Sequence, residues 1–159
     1  KKLTRLVTER QFIANKLNEG LKDLYGVQLP IVEDNCTHAY YIYPMILDID
    51  KLGVSRERIA NALIAEGLKD LLTSYQNIHL LPMYQKKIAY GNSGFPWNSE
   101  VCKRDINYKK GICPVAEELQ DKTFIGFPLC MFELSEKDID SIIITFHKVW
   151  NNMEKLNQA

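Results

Sequence analysis

Near the end of the chain Ile139, Ile142, Ile143, Phe146, Val149, Trp150 and Met153 recur at intervals of three and four. That period lays all of them along one side of an α-helix, and a stripe of such width has to be covered by another layer of protein. Ser135 and Asp138 supply a capping-box-like start. At the other end of the chain, Leu6, Ile13, Leu17, Leu21 and Leu24 predict a helix from Thr4 to Tyr25, stopped by Gly26. Between the two lie short extended runs. Residues 39–48 read as a strand, because aromatic and β-branched side chains suit a pleated surface. Pro44 has no N–H, so this strand is expected to bulge there or to run along an edge. Residues 68–75 read as a short second strand, and residues 123–129 as a third, closed by proline. Ser55 and Glu57 open a helix that Gly67 stops, and Pro114 opens a short one through Leu119. This order predicts a single α+β domain over residues 1–159: a small, largely antiparallel sheet with helices packed on one face.

The 159 residues carry no formal net charge, which removes the electrostatic footprint expected of a nucleic-acid or anionic-membrane binder. Three tyrosines on the 39–48 run resemble an RNA-stacking sheet, but no Lys or Arg accompanies them, so they are read as packing residues. No apolar run approaches the roughly 18 residues of a membrane span. The opening Lys1-Lys2-Leu3-Thr4-Arg5 does not have the form of a signal peptide. The first residue is not Met, so either a start was removed or the chain is part of a longer polypeptide. Cys36, Cys102, Cys113 and Cys130 are scattered in a way that fits reduced thiols of a cytoplasmic protein. A zinc site from Cys36, His38, Cys102 and Cys113 matches no ordinary ligand spacing, so no metal is expected.

One stretch follows neither period: residues 74–85, where His79 stands between Tyr75 and Tyr84. After it, residues 86–112 are broken repeatedly by Gly, Pro and Asn, and a structureless segment of that length is most often a functional loop. Phe95-Pro96-Trp97 within it puts large apolar groups in a loop, which suggests docking against something. The chain has no phosphate loop and no nucleophile elbow, and a Cys113 or Cys130 pair with His79 lacks supporting surroundings. His38 and His147 read as packing or surface histidines, and the adjacent Glu117 and Glu118 as solvated. The residues alone give no catalytic constellation and one candidate binding loop. That leaves a non-catalytic binding or interaction domain using the 75–111 region as one reading.

Several stretches, taken in order, carry a second reading. Arg5 to Ala14, His38 to Tyr43, Leu52-Gly53-Val54-Ser55-Arg56 through Leu63 to Gly67, and Tyr75-Gln76-Asn77-Ile78-His79-Leu80-Leu81-Pro82-Met83-Tyr84 follow one another along the chain. Cys113-Pro114-Val115-Ala116-Glu117-Glu118-Leu119, Phe127-Pro128-Leu129 and Leu134 to Asp138 complete the series. Their order and spacing resemble the carboxy-terminal small domain of the DegT/DnrJ/StrS aminotransferases, a fold-type I family dependent on pyridoxal phosphate. Asn77 stands where that family usually has proline, a departure expected to alter the loop, and the 91–107 segment resembles an insertion. The resemblance implies that the cofactor and its lysine belong to a large domain upstream, with no cofactor and no catalytic residue in this part. It implies a homodimer, and amino transfer from glutamate or glutamine to a keto sugar, commonly nucleotide-linked, for polysaccharide or antibiotic-sugar synthesis. The small domain is then expected to contact the sugar, with His79 as the hydrogen-bonding group and Tyr75 and Tyr84 behind it, while Trp97 and Phe95 are expected to pack on the large domain or a second subunit. The alternative for His79 is a bond to its own loop backbone.

Overall fold

In the computed structural model, residues 2–102 and 104–158 are described, and they divide into two compact units. The first comprises residues 2–73 and 122–158; the second is the 74–121 segment.

The first unit is the α+β body. Helix α1 (Lys2–Leu21) buries Ile13, Ala14, Leu17 and Leu21, and helix α6 (Glu136–Trp150) buries Ile139, Ile142, Phe146 and Val149. They meet over a three-stranded antiparallel sheet in the order β1 (Val27–Gln28), β2 (Tyr43–Leu47), β3 (Phe124–Phe127). Tyr43, Met45 and Leu47 alternate into the core, and Ile125 and Phe127 lie opposite them on the same face. Ile59 and Leu63 of helix α3 (Arg56–Ala65) close this layer. Each large apolar side chain so buried contributes about 1.5–3 kcal/mol, so the helix stripes and the inner sheet face hold one another in place. The fold is thus the expected α+β arrangement, with helices on the buried sheet face.

Helix ends follow local chemistry. The Ser135 hydroxyl accepts from the Asp138 amide while the Asp138 carboxylate accepts from Ser135, a complete capping box for α6. Ser55 caps α3 by accepting from the Arg58 amide. Helix α1 stops at Leu21, four residues short of the expected Tyr25, and Leu24 remains buried in the turn that follows. The Gly20 carbonyl, an orphan of that last turn, accepts from His147 Nε2 at 2.8 Å, and Trp150 Nε1 donates to the Tyr25 carbonyl at 2.8 Å. Gly26 then turns the chain at φ 72°, where an added Cβ would also lie 2.7 Å from Leu52. Leu52 ends helix α2 (Ile49–Leu52), which Asp48 caps.

The strands differ from expectation in two instructive ways. β2 is the central strand of the sheet, although Pro44 had argued for an edge or a bulge. Gly126 exchanges both backbone hydrogen bonds with Leu72, at 2.8 and 2.7 Å, so its pairing with Pro44 needs none. On the other side β1 pairs only with Ile46 and Leu47, and its register extended would set Pro30 opposite Pro44. Neither ring has an N–H, so the ladder ends there, and β2 is locally an edge at its one proline. The expected strand over 68–75 shrinks to that Leu72 bridge, because Asp70 sits at φ 59° and breaks the extended path.

The second unit contains the Ile78–Leu80 turn of 3-10 helix, helix α4 (Pro82–Gln85) and helix α5 (Pro114–Glu118). Residues 86–102 and 104–112 form neither helix nor strand, as their glycines and prolines predict. Among the described residues of this unit, the buried side chain is that of Glu117; Tyr75, Ile78, Tyr90, Phe95, Val101 and Val115 are exposed. No helix among the described residues is long and apolar enough to cross a membrane.

Candidate substrate-binding site

Proline at the first helical position starts both α4 and α5, and each places one polar side chain where it can be used. From α4, Gln85 reaches back: its Nε2 donates to the His79 carbonyl at 2.7 Å and to the Tyr108 carbonyl at 2.6 Å. From α5, Glu117 turns inward, with its Oε1 lying 2.9 Å from His79 Nε2; the two side chains are 8% and 10% exposed. The Gly111 amide donates to both Glu117 oxygens at 2.8 Å, and the Cys113 amide to Oε1 at 3.3 Å. Burial pushes the Glu117 carboxyl up, but the amides of Gly111 and Cys113 and the imidazole outweigh it and hold it below the usual glutamate range.

Glu117 corrects the expectation of two solvated carboxylates, while its neighbour Glu118 is exposed. Adjacency on a helix says only that the two point to different sides. The available signal was the Gly111-x-Cys113-Pro114 approach, which brings free amides to a first-turn carboxylate. His79 is not tied to its loop backbone by its ring; it is anchored by a carboxylate 38 residues away in sequence.

The other two predicted residues go elsewhere. Tyr75 is 61% exposed, and its amide donates to Gln120 Oε1 at 2.7 Å. The Tyr84 ring joins an aromatic cluster, 5.2 Å from Tyr108 and edge-on to Trp97 at 6.1 Å. Trp97 Nε1 donates to the Tyr108 hydroxyl at 2.9 Å. Trp97, expected to dock on another domain or subunit, is therefore used inside its own unit, where its N–H finds a partner. Phe95 stays 47% exposed beside Tyr90. A cleft of about 420 Å³ lies beside this cluster, lined by Tyr84, Gln85, Lys87, Asp105, Tyr108 and Lys109 among others. Its mixture of aromatic faces, carbonyls and both charges suits a polar, hydroxyl-bearing ligand.

The four cysteines are free, and no cluster of three or more His, Cys, Asp or Glu side chains able to hold a metal occurs among the described residues. Cys113 contributes its amide to the carboxylate that holds His79.

With this geometry in hand, comparison with known proteins is decisive at the level of family. Residues 1–143 match the model of the DegT/DnrJ/EryC1/StrS aminotransferase family. The chain belongs to this family. Over 107 residues it is 28% identical to protein MJ1066 of Methanocaldococcus jannaschii and, equally, to the spore coat polysaccharide biosynthesis protein SpsC of Bacillus subtilis. Each alignment takes in 67% of this chain and 28% of the relative. The fold is similar to that of the aminotransferase TlmJ of Streptoalloteichus hindustanus, with TM-score 0.62 and 22% identity over 98% of this chain and 34% of that one. The aminotransferase of Psychrobacter cryohalolentis gives TM-score 0.64 and 18% identity over 97% of this chain and 36% of its own. The putative sugar aminotransferase Spr1654 of Streptococcus pneumoniae, in its PMP form, gives 0.61 and 18% over 94% and 32%. The chain thus spans about a third of these structures and less of the two sequence relatives.

Proposed function

We propose that this chain is the carboxy-terminal small domain of a longer, pyridoxal-phosphate-dependent aminotransferase. In our reading the whole enzyme moves an amino group from glutamate or glutamine to a nucleotide-linked keto sugar, as a cytoplasmic homodimer. The family match over residues 1–143 carries the proposal. The relative SpsC, a spore coat polysaccharide biosynthesis protein, and the structural neighbour Spr1654, a putative sugar aminotransferase, support the sugar as acceptor.

The residues present do not fit the cofactor's aldehyde. Among the described lysines all are exposed except the half-buried Lys87, which pairs with Asp105 at 3.2 Å. A lysine that forms an imine needs a desolvated site that lowers its pKa. The cofactor and its lysine therefore belong, on this proposal, to an upstream large domain. What this chain supplies is substrate contact: the held imidazole of His79, with Tyr75 and Tyr84 flanking it in sequence.

The test is amino transfer by the longest product of the coding frame that includes Lys1. That product is given pyridoxal phosphate, a UDP-linked 4-keto sugar and glutamate or glutamine carrying ¹⁵N at the transferred position. Appearance of ¹⁵N on the sugar by mass spectrometry supports the reading; turnover of neither donor with a range of nucleotide keto sugars sinks it. The exposed apolar side chains of the 74–121 unit favour one second reading, a binding module that uses the 75–111 region without catalysis.

A further inference from the structure

His79 leaves one ring nitrogen without a hydrogen-bond partner among the described residues. Its side-chain hydrogen bonding within the protein goes through Nε2 to Glu117. Among the described residues no buried side-chain nitrogen or oxygen lacks a partner. Nδ1, which has none, therefore lies where the 10% of the side chain that is exposed meets solvent.

We propose that Glu117 is a positioning residue that sets the tautomer of the His79 imidazole, with the proton on Nε2, so that the Nδ1 lone pair is presented as an acceptor for a hydroxyl of an incoming sugar. The tautomer follows from the geometry alone; the sugar as donor rests on the aminotransferase reading proposed for the whole enzyme. An ionised carboxylate can only accept, so the neutral ring must place its proton on the nitrogen that faces it. The opposite tautomer would set an imidazole lone pair against a carboxylate oxygen at 2.9 Å. The same logic governs histidines that ligate metals, where a carboxylate behind one nitrogen fixes the role of the other.

Glu117 is itself fixed by groups that do not titrate. The Gly111 amide bridges both its oxygens, and the Cys113 amide adds a third bond. Gly111 lies at φ 101°, a conformation that aims its amide and that side chains rarely adopt. The backbone at His79 is held separately by Gln85, which also ties it to Tyr108. With backbone and Nε2 both pinned, the ring has little freedom, and the acceptor is set in place before a ligand arrives. An acceptor at this point selects for O–H donors, which a sugar ring offers in number and a carboxylate ligand does not.

The first measurement is the ¹⁵N spectrum of the imidazoles in the 159-residue chain at about pH 8.5, where an ordinary histidine is neutral. His79 should show a protonated Nε2 and an unprotonated Nδ1, and Glu117→Ala, which removes the acceptor behind Nε2, should move the two resonances toward an average. A protonated Nδ1 in the wild type, or a tautomer unchanged in Glu117→Ala, overturns the positioning role. The wild-type spectrum decides this even if the variant does not fold.

The second measurement uses His79→Gln in the full gene product, with UDP-glucose as probe. Glutamine can still donate to Glu117 at the place of Nε2 but has no equivalent of Nδ1. Its thermal midpoint should stay near wild type while affinity for UDP-glucose falls about tenfold, the loss expected for one hydrogen bond to a ligand. Affinity equal to wild type, or no binding by the wild type, overturns the acceptor role. Absence of transaminase activity with the tautomer intact would instead count against the aminotransferase reading.

Discussion

Replacing Gly20 with alanine sets two known effects against each other at the crossing of α1 and α6. In an isolated helix the change is favourable by about 0.5–1 kcal/mol, because glycine loses the most backbone freedom on folding. In this protein the new Cβ would lie 2.7 Å from Cγ1 and 2.9 Å from Cγ2 of Ile143, and closer still to its Cδ1. All three contacts are well inside van der Waals distance, and a β-branched residue in a helix has one strongly preferred χ1 rotamer, so Ile143 cannot simply turn away. The helices must part, and the His147 bond to the Gly20 carbonyl resists that. Overpacking of this kind costs about 1–3 kcal/mol. The net expectation is a loss of about 1–2 kcal/mol, or a fall of about 2–8 °C in Tm for a chain of this size. Thermal and urea melts of Gly20→Ala, Ile143→Ala and the double variant form the assay. In the Ile143→Ala background the Gly20→Ala change should become neutral or stabilising, giving a coupling of about 1–3 kcal/mol. A single Gly20→Ala variant more stable than wild type would refute the close approach of the two helices.

Three further outcomes are expected. Ser135→Ala removes half of the α6 capping box and should lower stability by about 1 kcal/mol in a urea melt, with an unchanged m-value. Asn77→Pro should fold and keep the His79 environment, since Asn77 lies at φ −71°, within the range a proline ring enforces; loss of the His79–Glu117 contact by NMR would show otherwise. The Glu117 carboxyl is held below its unfolded value, so its contribution to the 74–121 unit is present above about pH 4.3 and disappears as pH falls through the lower folded value. Protection factors of the Gly111 and Cys113 amides should therefore drop on acidification in the wild type, and a Glu117→Gln variant should lack that step.

Much of the fold was legible because it rests on short-range rules. The α6 stripe and its Ser135–Asp138 cap, the Ser55 cap and the antiparallel character of the sheet all follow from period and turn chemistry. The central position of β2 was not legible, because whether Pro44 lacks a needed bond depends on where β1 stops and on which pair Gly126 makes. Two-residue β1 is too short to show a period at all. The departure at Asn77, expected to alter the loop, leaves a proline-compatible φ. In the candidate site, His79 stood out by type and place, but its partner did not. Glu117 is an ordinary helix-start carboxylate until the chain folds Gly111 and Cys113 onto it. Trp97 shows the same limit in reverse: an aromatic in a broken segment suggested an outside partner, and Tyr84 and Tyr108 supplied one within the unit.

On the function proposed, this chain completes an enzyme whose cofactor lysine lies elsewhere in the same polypeptide. The most direct measurement is to express the longest product of the frame with pyridoxal phosphate, reduce it with borohydride and map the peptides by mass spectrometry. A phosphopyridoxyl group is expected on a single lysine N-terminal to Lys1. A label on a lysine within residues 1–159, or none on any product of the frame, would contradict it.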